Sequence, residues 1–509
     1  MDTAGKQFKE KFLYIDEKIQ RFFYSRWFLL VLGIFIFIVQ TFGLDMFGFG
    51  VLATVVGYMC LFSKNTNRIL PVVCMAVFCV SIKNSPMYPA SAFVYIGKLQ
   101  YTVTSTSTYY SSPAFLIFVI IGVTLLGGAL VYRLVRFGDF KKVFCKRGLV
   151  WAMLALAIPF MFNGVFASTW QTTDLLMGLI QTGTYLFLYV VLASTMDYDT
   201  FTLEDLADIM LTVMFYVLAL VTYIYATRYL AFMSMNNIWK YYLVCGWGIS
   251  NSMGSMIAIT MPACLYKIAK SKSNQWFWYM MLVVAFAGVY FTLCRTALLA
   301  SAVMVMLGII LGLAKQKHRK ATLLTLLITC LVVILLIAVL IITGTYQYFF
   351  DYFLKHAEND PSSGRLTMWG RYAQYFLKYP IFGGGFSVDA EAYSQQFGGV
   401  YNFYSTLAHN VVFQMLGSCG LVGMIGLVVH LICVIKTSLK DYDANRNFLI
   451  IGIIVFFITA MLDIIFFASY YSFIYIIELI ALEADISRKA KIHHDTVNTP
   501  LNKEVKDRS

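Results

Sequence analysis

One histidine and a few arginines carry the reactive chemistry that this sequence offers. His409 opens the apolar run Asn410–Ile435. Neutral imidazole is a suitable general base near neutral pH. A helix starting there would present unpaired N–H groups and a partial positive charge to an anion. The alternative is an interfacial histidine that only caps the helix. Of the six histidines, His318, His493 and His494 fall in polar segments, His430 lies deep in an apolar run and His356 sits in a loop, which leaves His409 at the outer mouth of a bundle. Arg295 lies in Thr292-Leu-Cys-Arg-Thr-Ala-Leu-Leu299, a hinge of almost no length between two apolar runs. An arginine at a bilayer edge is costly, so it either snorkels to lipid phosphate or forms a fixed guanidinium that grips a phosphate bidentately. Arg228 is a weaker case of the same kind and reads as solvated or lipid-facing. Arg365, in Ser363-Gly-Arg-Leu-Thr-Met-Trp369, borders the apolar face of an amphipathic segment. Cations and a lone histidine at the rim of a membrane bundle suit a phosphate-bearing, lipid-anchored substrate.

The elements that must position these side chains are transmembrane helices. The chain of 509 residues is 60% hydrophobic and 13% charged, which describes a polytopic helical membrane protein and excludes a soluble domain. Apolar runs predict 12 to 14 spans, with Ile69–Ile82 and Tyr471–Leu482 short enough to be tilted, re-entrant or interfacial. Lys and Arg fix the expected orientation. With the N-terminus inside, all but nine of the 39 basic residues fall on the cytoplasmic side. The outer side keeps Lys83, Lys98, Arg228, Lys240, Arg295, Lys355, Arg365, Arg371 and Lys378. The net charge of +13 is therefore a topology signal and gives no support to nucleic-acid binding. Residues 1–26 form a basic amphipathic lead without an apolar core or a small-residue cleavage site, so the first span acts as the membrane signal. A transmembrane bundle over 27–343 follows, then a large outer loop over 344–408, late transmembrane helices over 409–486 and a polar cytoplasmic tail over 487–509, read as disordered. The ten cysteines are scattered singly and imply neither disulfides nor a metal site.

The loop Gly344–Ala408 is too long for a simple connection and too patterned for disorder. Asp360-Pro-Ser-Ser precedes a helix start at Gly364. From Arg365 to Lys378, Leu366, Trp369, Ala373, Phe376 and Leu377 recur at helical spacing, which assigns them to one apolar face and Arg371, Gln374 and Lys378 to the other. On that assignment Arg371→Ala is nearly silent. Tyr379-Pro380 ends the helix, and Gly383-Gly-Gly385 makes a flexible or tightly turned stretch. Asn251 and Ser252 lie among Gly246, Gly248 and Gly254, a pattern of close helix packing by small residues. Asp463 and Glu478 are intramembrane carboxylates, functional by default, and would matter most in a proton-coupled transporter.

Taken in order, Cys294-Arg-Thr-Ala-Leu-Leu-Ala-Ser301, Gly364-Arg-Leu-x-x-Trp369, Tyr379-Pro-Ile-Phe-Gly-Gly-Gly385, His409-Asn-Val-Val-Phe-Gln414 and Gly417-x-x-Gly420-Leu421 resemble the O-antigen ligase and O-antigen polymerase family over about Asn251–Gly423. The resemblance implies an all-α membrane bundle with one large external loop. It also implies action on undecaprenyl-pyrophosphate-linked glycans without a metal or other cofactor. It assigns Arg295 and Arg365 to the donor's pyrophosphate and His409 to the acceptor hydroxyl as base. Arg228, Asn251, Trp369 and Asn410 are the expected substrate-contacting residues around them. The implied partners are the lipid-linked donor, a glycan acceptor and the bilayer, with a flippase and a chain-length regulator in the polymer context. The motifs are shared by polymerase and ligase. The Tyr- and Phe-rich composition, 34 and 43 residues, tips the expectation towards a polymerase of a surface or capsular polysaccharide in the cytoplasmic membrane. The reading from another class is a lipid-linked oligosaccharide flippase. It would need cations in a central cavity, whereas here Lys and Arg fall in loops and at boundaries.

Overall fold

The computed structural model describes residues 15–42, 44–63, 67–80, 113–145, 148–234, 243–245, 247–271, 274–315, scattered positions between 327 and 342, 364–397 and 406–497. Most of the lead, the Ser/Thr/Tyr-rich loop after Lys83 and the first part of the large outer loop lie outside the described residues.

The architecture is an all-α membrane bundle. A short helix α1 (Ile15–Tyr24) turns by 79° into α2 (Arg26–Phe42). There follow α3 (Asp45–Phe62), α4 (Ile69–Val80), α5 (Pro113–Phe137) and α6 (Val150–Phe166). Then come α7 (Thr172–Thr195), with a π-helical turn at Gly183–Leu188, and α8 (Leu203–Ser234). Among the described residues, five helices are long and apolar enough to cross a bilayer, or six if the bent pair counts as one. Several further apolar helices are shorter.

Where the sequence suggests one span over Tyr242–Tyr266, the chain is broken. Val244–Cys245 pairs antiparallel with Gly248–Ile249, α9 (Ser250–Thr260) follows, and Pro262 opens α10 (Pro262–Lys270). A proline at the start of a helix is favourable, whereas inside one it would remove a hydrogen bond. The helices α11 (Gln275–Phe291) and α12 (Arg295–Lys315) flank the short hinge. The loop that the charge count puts outside contributes α13 (Arg365–Lys378) and α14 (Ala390–Phe397). The chain ends in α15 (Val411–Leu439), α16 (Asn447–Ala460) and α17 (Ser469–Val497).

Three expectations about the C-terminus are corrected. The run Tyr471–Leu482 is not a short interfacial piece but part of the 29-residue α17, almost wholly buried from Tyr470 to Asp485. The tail read as disordered from residue 487 continues this helix to Val497. It is tied down by Arg488 donating to Phe201 O at 2.9 Å and by Lys489 pairing with Asp443 and Asp485. The predicted span Phe448–Phe467 stops at Ala460, and Asp463 then caps a 3-10 turn at Ile464–Phe467 by accepting from Ile464 N.

Loops that the charge count puts on one side meet one another. Arg26, Glu204, Lys267 and Asp208 form one ion-paired group, Arg68 pairs with Asp205, and Arg446, fully buried, pairs with Asp485. The loops assigned to the opposite side build the site described next.

Candidate active site at one mouth of the bundle

Two helices begin on an arginine. Leu293, with φ +55°, turns the chain sharply at the end of α11, so that α12 starts at Arg295. Gly254 of α9 sits against this turn, since a Cβ there would lie 2.4 Å from Thr292 Oγ1 and 2.8 Å from Cys294 Cβ. The small-residue packing expected around Asn251 is thus real. Gly364, in the left-handed region at φ +77°, caps α13 and Arg365 is its first residue. A cation at a helix N-terminus opposes the macrodipole, so both arginines stand where positive potential is already concentrated. Arg365 Nη1 donates to Thr296 Oγ1 at 3.3 Å, which brings the starts of α12 and α13 together.

His409 comes to the same place. Its Nδ1 lies 3.1 Å from Asp463 Oδ1, with the histidine side chain 24% exposed and the aspartate nearly buried. Burial pushes the Asp463 pKa up. The hydrogen bond and charge of His409, then the charge of Arg365, outweigh it and hold the carboxyl well below the usual carboxylate range. An ionised carboxylate only accepts, so Nδ1 donates, and whenever the ring is neutral Nε2 carries the lone pair. Nε2 has no hydrogen-bond partner among the described residues. Asp463, the intramembrane carboxylate expected to be functional by default, is the partner of the histidine. The sequence signal was an acid ending an apolar run, but no spacing links positions 409 and 463.

Residues expected to touch substrate prove to hold the histidine. Asn410 Oδ1 accepts from Val412 N at 2.9 Å and Phe413 N at 3.2 Å, and its Nδ2 donates to Met461 O at 2.8 Å. Asn410 is therefore a buried N-cap, and its side chain already occupies two of the helix N–H groups expected to draw an anion at His409. Trp369 Nε1 donates to Ala408 O at 2.8 Å, and its ring stacks on Phe413 at 5.4 Å. It braces α13 against α15. Ala408 N donates to Gln414 Oε1 at 2.6 Å. Fixed on both sides, His409 is held at φ +49°, an uncommon conformation for a non-glycine residue.

The other expected contacts fare differently. Asn251 Oδ1 is buried without a hydrogen-bond partner among the described residues. The next residue, Ser252, accepts from Tyr471 OH at 2.9 Å through its carbonyl, and Tyr471 lies within electrostatic reach of Asp463 and Cys294. Arg228 lies in α8, which runs on past Thr227 to Ser234; its side chain is outside the described residues. Glu478 is buried against Gly452, away from these groups.

The face assignment of α13 is also corrected. Leu366 and Leu377 are exposed, while Met368 and Tyr372 are buried. Arg371 faces the protein and grips Asp389, Nε to Oδ1 and Nη2 to Oδ2, both at 2.7 Å. Asp389 is fully buried and also accepts from Tyr375 OH at 3.0 Å. The hydrogen bond to Asp389, larger than the opposing effect of burial, raises the Arg371 pKa. Hydrophobic periodicity missed this pairing because a half-buried arginine facing the protein needs a partner that the helix itself does not carry.

The glycine stretch is tightly turned and stitched into the bundle. Gly420, at φ +63°, breaks the α15 ladder. Gly384 N donates to Gly417 O at 2.8 Å and Gly385 N to Ser418 O at 3.1 Å, while Leu421 N donates to Pro380 O at 2.8 Å. From the other side Asp174, buried in α7, accepts from Ser387 N at 2.8 Å. The spacing Gly417-x-x-Gly420 is thus a docking slot for Tyr379–Gly385, and it fixes α13 and Arg365 over the bundle.

Residues 280–428 match the family model described as O-antigen ligase. The matched O-antigen ligase region contains Arg295, Thr296, Arg365, Trp369, His409 and Asn410, and ends before Asp463. The family resemblance drawn from the five motifs is borne out there. Over that region the multi-pass membrane chain is similar to the O-antigen ligase family. No curated protein matches the chain.

Proposed function

We propose that this protein is an inverting membrane glycosyltransferase that polymerises undecaprenyl-pyrophosphate-linked repeat units into a surface polysaccharide. The reading places the reaction on the outer face of the cytoplasmic membrane, with both termini cytoplasmic. The observation that carries it is the meeting of His409, Asp463 and Arg365 beside the Thr296 turn that begins with Arg295. Arg295 and Arg365 hold the donor's pyrophosphate and offset the charge that grows on it as the glycosidic bond breaks. The acceptor hydroxyl attacks the anomeric carbon from the opposite face while His409 Nε2 takes its proton. The undecaprenyl pyrophosphate leaves in a single displacement, which inverts the anomeric configuration. Asp463 fixes the imidazole and compensates its charge once protonated. Asn251, whose side-chain oxygen has no partner among the described residues, is a further substrate contact.

The ligase reading differs only in its acceptor, and the description of the matched family favours it. Purified protein in vesicles, supplied with lipid-linked repeat units alone or together with lipid A-core, distinguishes the two. A ladder of glycan lengths without lipid A-core supports the polymerase; a single transfer onto lipid A-core supports the ligase. Arg295→Ala, Arg365→Ala and His409→Ala should each remove most product while insertion is unchanged. Translocation across the vesicle without any transfer product would sink both readings.

A further inference from the structure

On the side of the bundle that carries the ion-paired loops, α2, α8 and α11 enclose a groove of about 510 Å³, a size that suits a bound small molecule. From α2 it is lined between Arg26 and Phe37, and from α8 between Asp208 and Ala219, each at spacings of three and four residues. Each helix thus presents one stripe. Both stripes run for about 16 Å, roughly the depth of one leaflet of a 30 Å hydrocarbon core. Gly33 forms the floor, where a Cβ would lie 3.3 Å from Thr212 Cγ2. Leu30 and Ile34 are half exposed along the open side.

The two ends of the groove are chemically different. At the far end Phe37 meets Tyr223 edge to face at 5.7 Å and closes it. At the mouth Lys267 Nζ lies 2.6 Å from Asp208 Oδ1 and 3.2 Å from Glu204 Oε1, and Arg26 lies 2.9 Å from Glu204 Oε1. The Arg26 side chain is 80% exposed. Here α1 bends away by 79°, and Trp27 is exposed beside the bend. An amphipathic helix lying flat, a turn and an exposed tryptophan mark the interfacial plane.

We propose that this groove holds one phospholipid of the surrounding bilayer, with a single acyl chain along α2 and α8 and a phosphoethanolamine head group on the charged mouth. Two cations and two carboxylates meet there, which complements a zwitterion. Arg26 takes the phosphate, since an exposed ion pair exchanges its partner at little cost. Glu204 and Asp208 take the ammonium. A purely anionic head group would face both carboxylates. A polyprenyl diphosphate would add more negative charge and a chain longer than the closed groove.

Native mass spectrometry of the full-length protein in detergent, with added phosphatidylethanolamine, phosphatidylglycerol or undecaprenyl pyrophosphate, tests this assignment. Wild type should retain one phosphatidylethanolamine in preference to phosphatidylglycerol by about tenfold, the scale of one charge-assisted contact. Ala219→Trp, at an exposed position facing the groove, should cut retention of every lipid. Arg26→Gln should remove the head-group preference without changing thermal stability. Unchanged retention in Ala219→Trp, or preferred retention of phosphatidylglycerol or undecaprenyl pyrophosphate, would overturn the proposal. So would disulfide crosslinking of two copies through Leu30→Cys, which would assign the groove to a second chain.

Discussion

Arg371→Ala tests how the outer loop is held. The wild-type guanidinium makes two 2.7 Å bonds to Asp389, a carboxylate with no solvent exposure. Truncation leaves that charge buried, with Tyr375 OH at 3.0 Å as its remaining side-chain donor among the described residues. Removing one partner of a buried pair costs about 3–5 kcal/mol, mostly because the survivor is desolvated and uncompensated. That corresponds to roughly 10²–10⁴ in the docking equilibrium of α13 on α14. Because α13 begins at Arg365, undocking should also lower transfer activity. Hydrogen exchange of residues 364–397 in lipid nanodiscs reads the loss directly. The decisive control is Arg371→Met with Asp389→Leu. Replacing both charges by apolar groups of similar size is often neutral, so the double variant should recover most of the protection. Wild-type protection in Arg371→Ala, or a double variant as unprotected as the single, would refute the reasoning.

Three further outcomes follow from the geometry. Asp463→Asn preserves shape but loses the charge that fixes His409; kcat should fall within the range of about 10²–10⁴ that a general base supplies, with KM little changed. An unaltered kcat would remove Asp463 from the proposal. Thr296→Val deletes the 3.3 Å bond to Arg365. A loss of about 0.5–1.5 kcal/mol, two- to tenfold in kcat/KM, is expected from initial rates against donor concentration. Gly420→Ala should lower the Tm, since φ +63° with ψ −153° is a region essentially restricted to glycine and costs about 1–3 kcal/mol for alanine, and its Cβ would lie 2.5 Å from Ile381 O. Gly57→Ala is the control, because nothing lies within 4 Å of its added carbon; a drop of equal size there would contradict the account.

The sequence by itself determined the bundle, most helix limits and the outer-loop helix. The 60% hydrophobic composition leaves few alternatives, and Arg365–Lys378 was bounded by Gly364 before it and Tyr379-Pro380 after it, where local sterics decide. It also singled out Arg295, Arg365 and His409, because charge and imidazole are conspicuous in an apolar chain. What it left undecided was pairing. Asp463 with His409, Arg371 with Asp389 and Asp174 with Ser387 join positions separated by 54, 18 and 213 residues, and no local period encodes such distances. Trp369 and Asn410 looked like ligand contacts because both are polar-tipped residues beside the mouth; the tertiary structure spends their donors on Ala408 and Met461. A buried polar atom must be satisfied. Whether its partner is protein or substrate depends on which segments the fold brings within 3 Å.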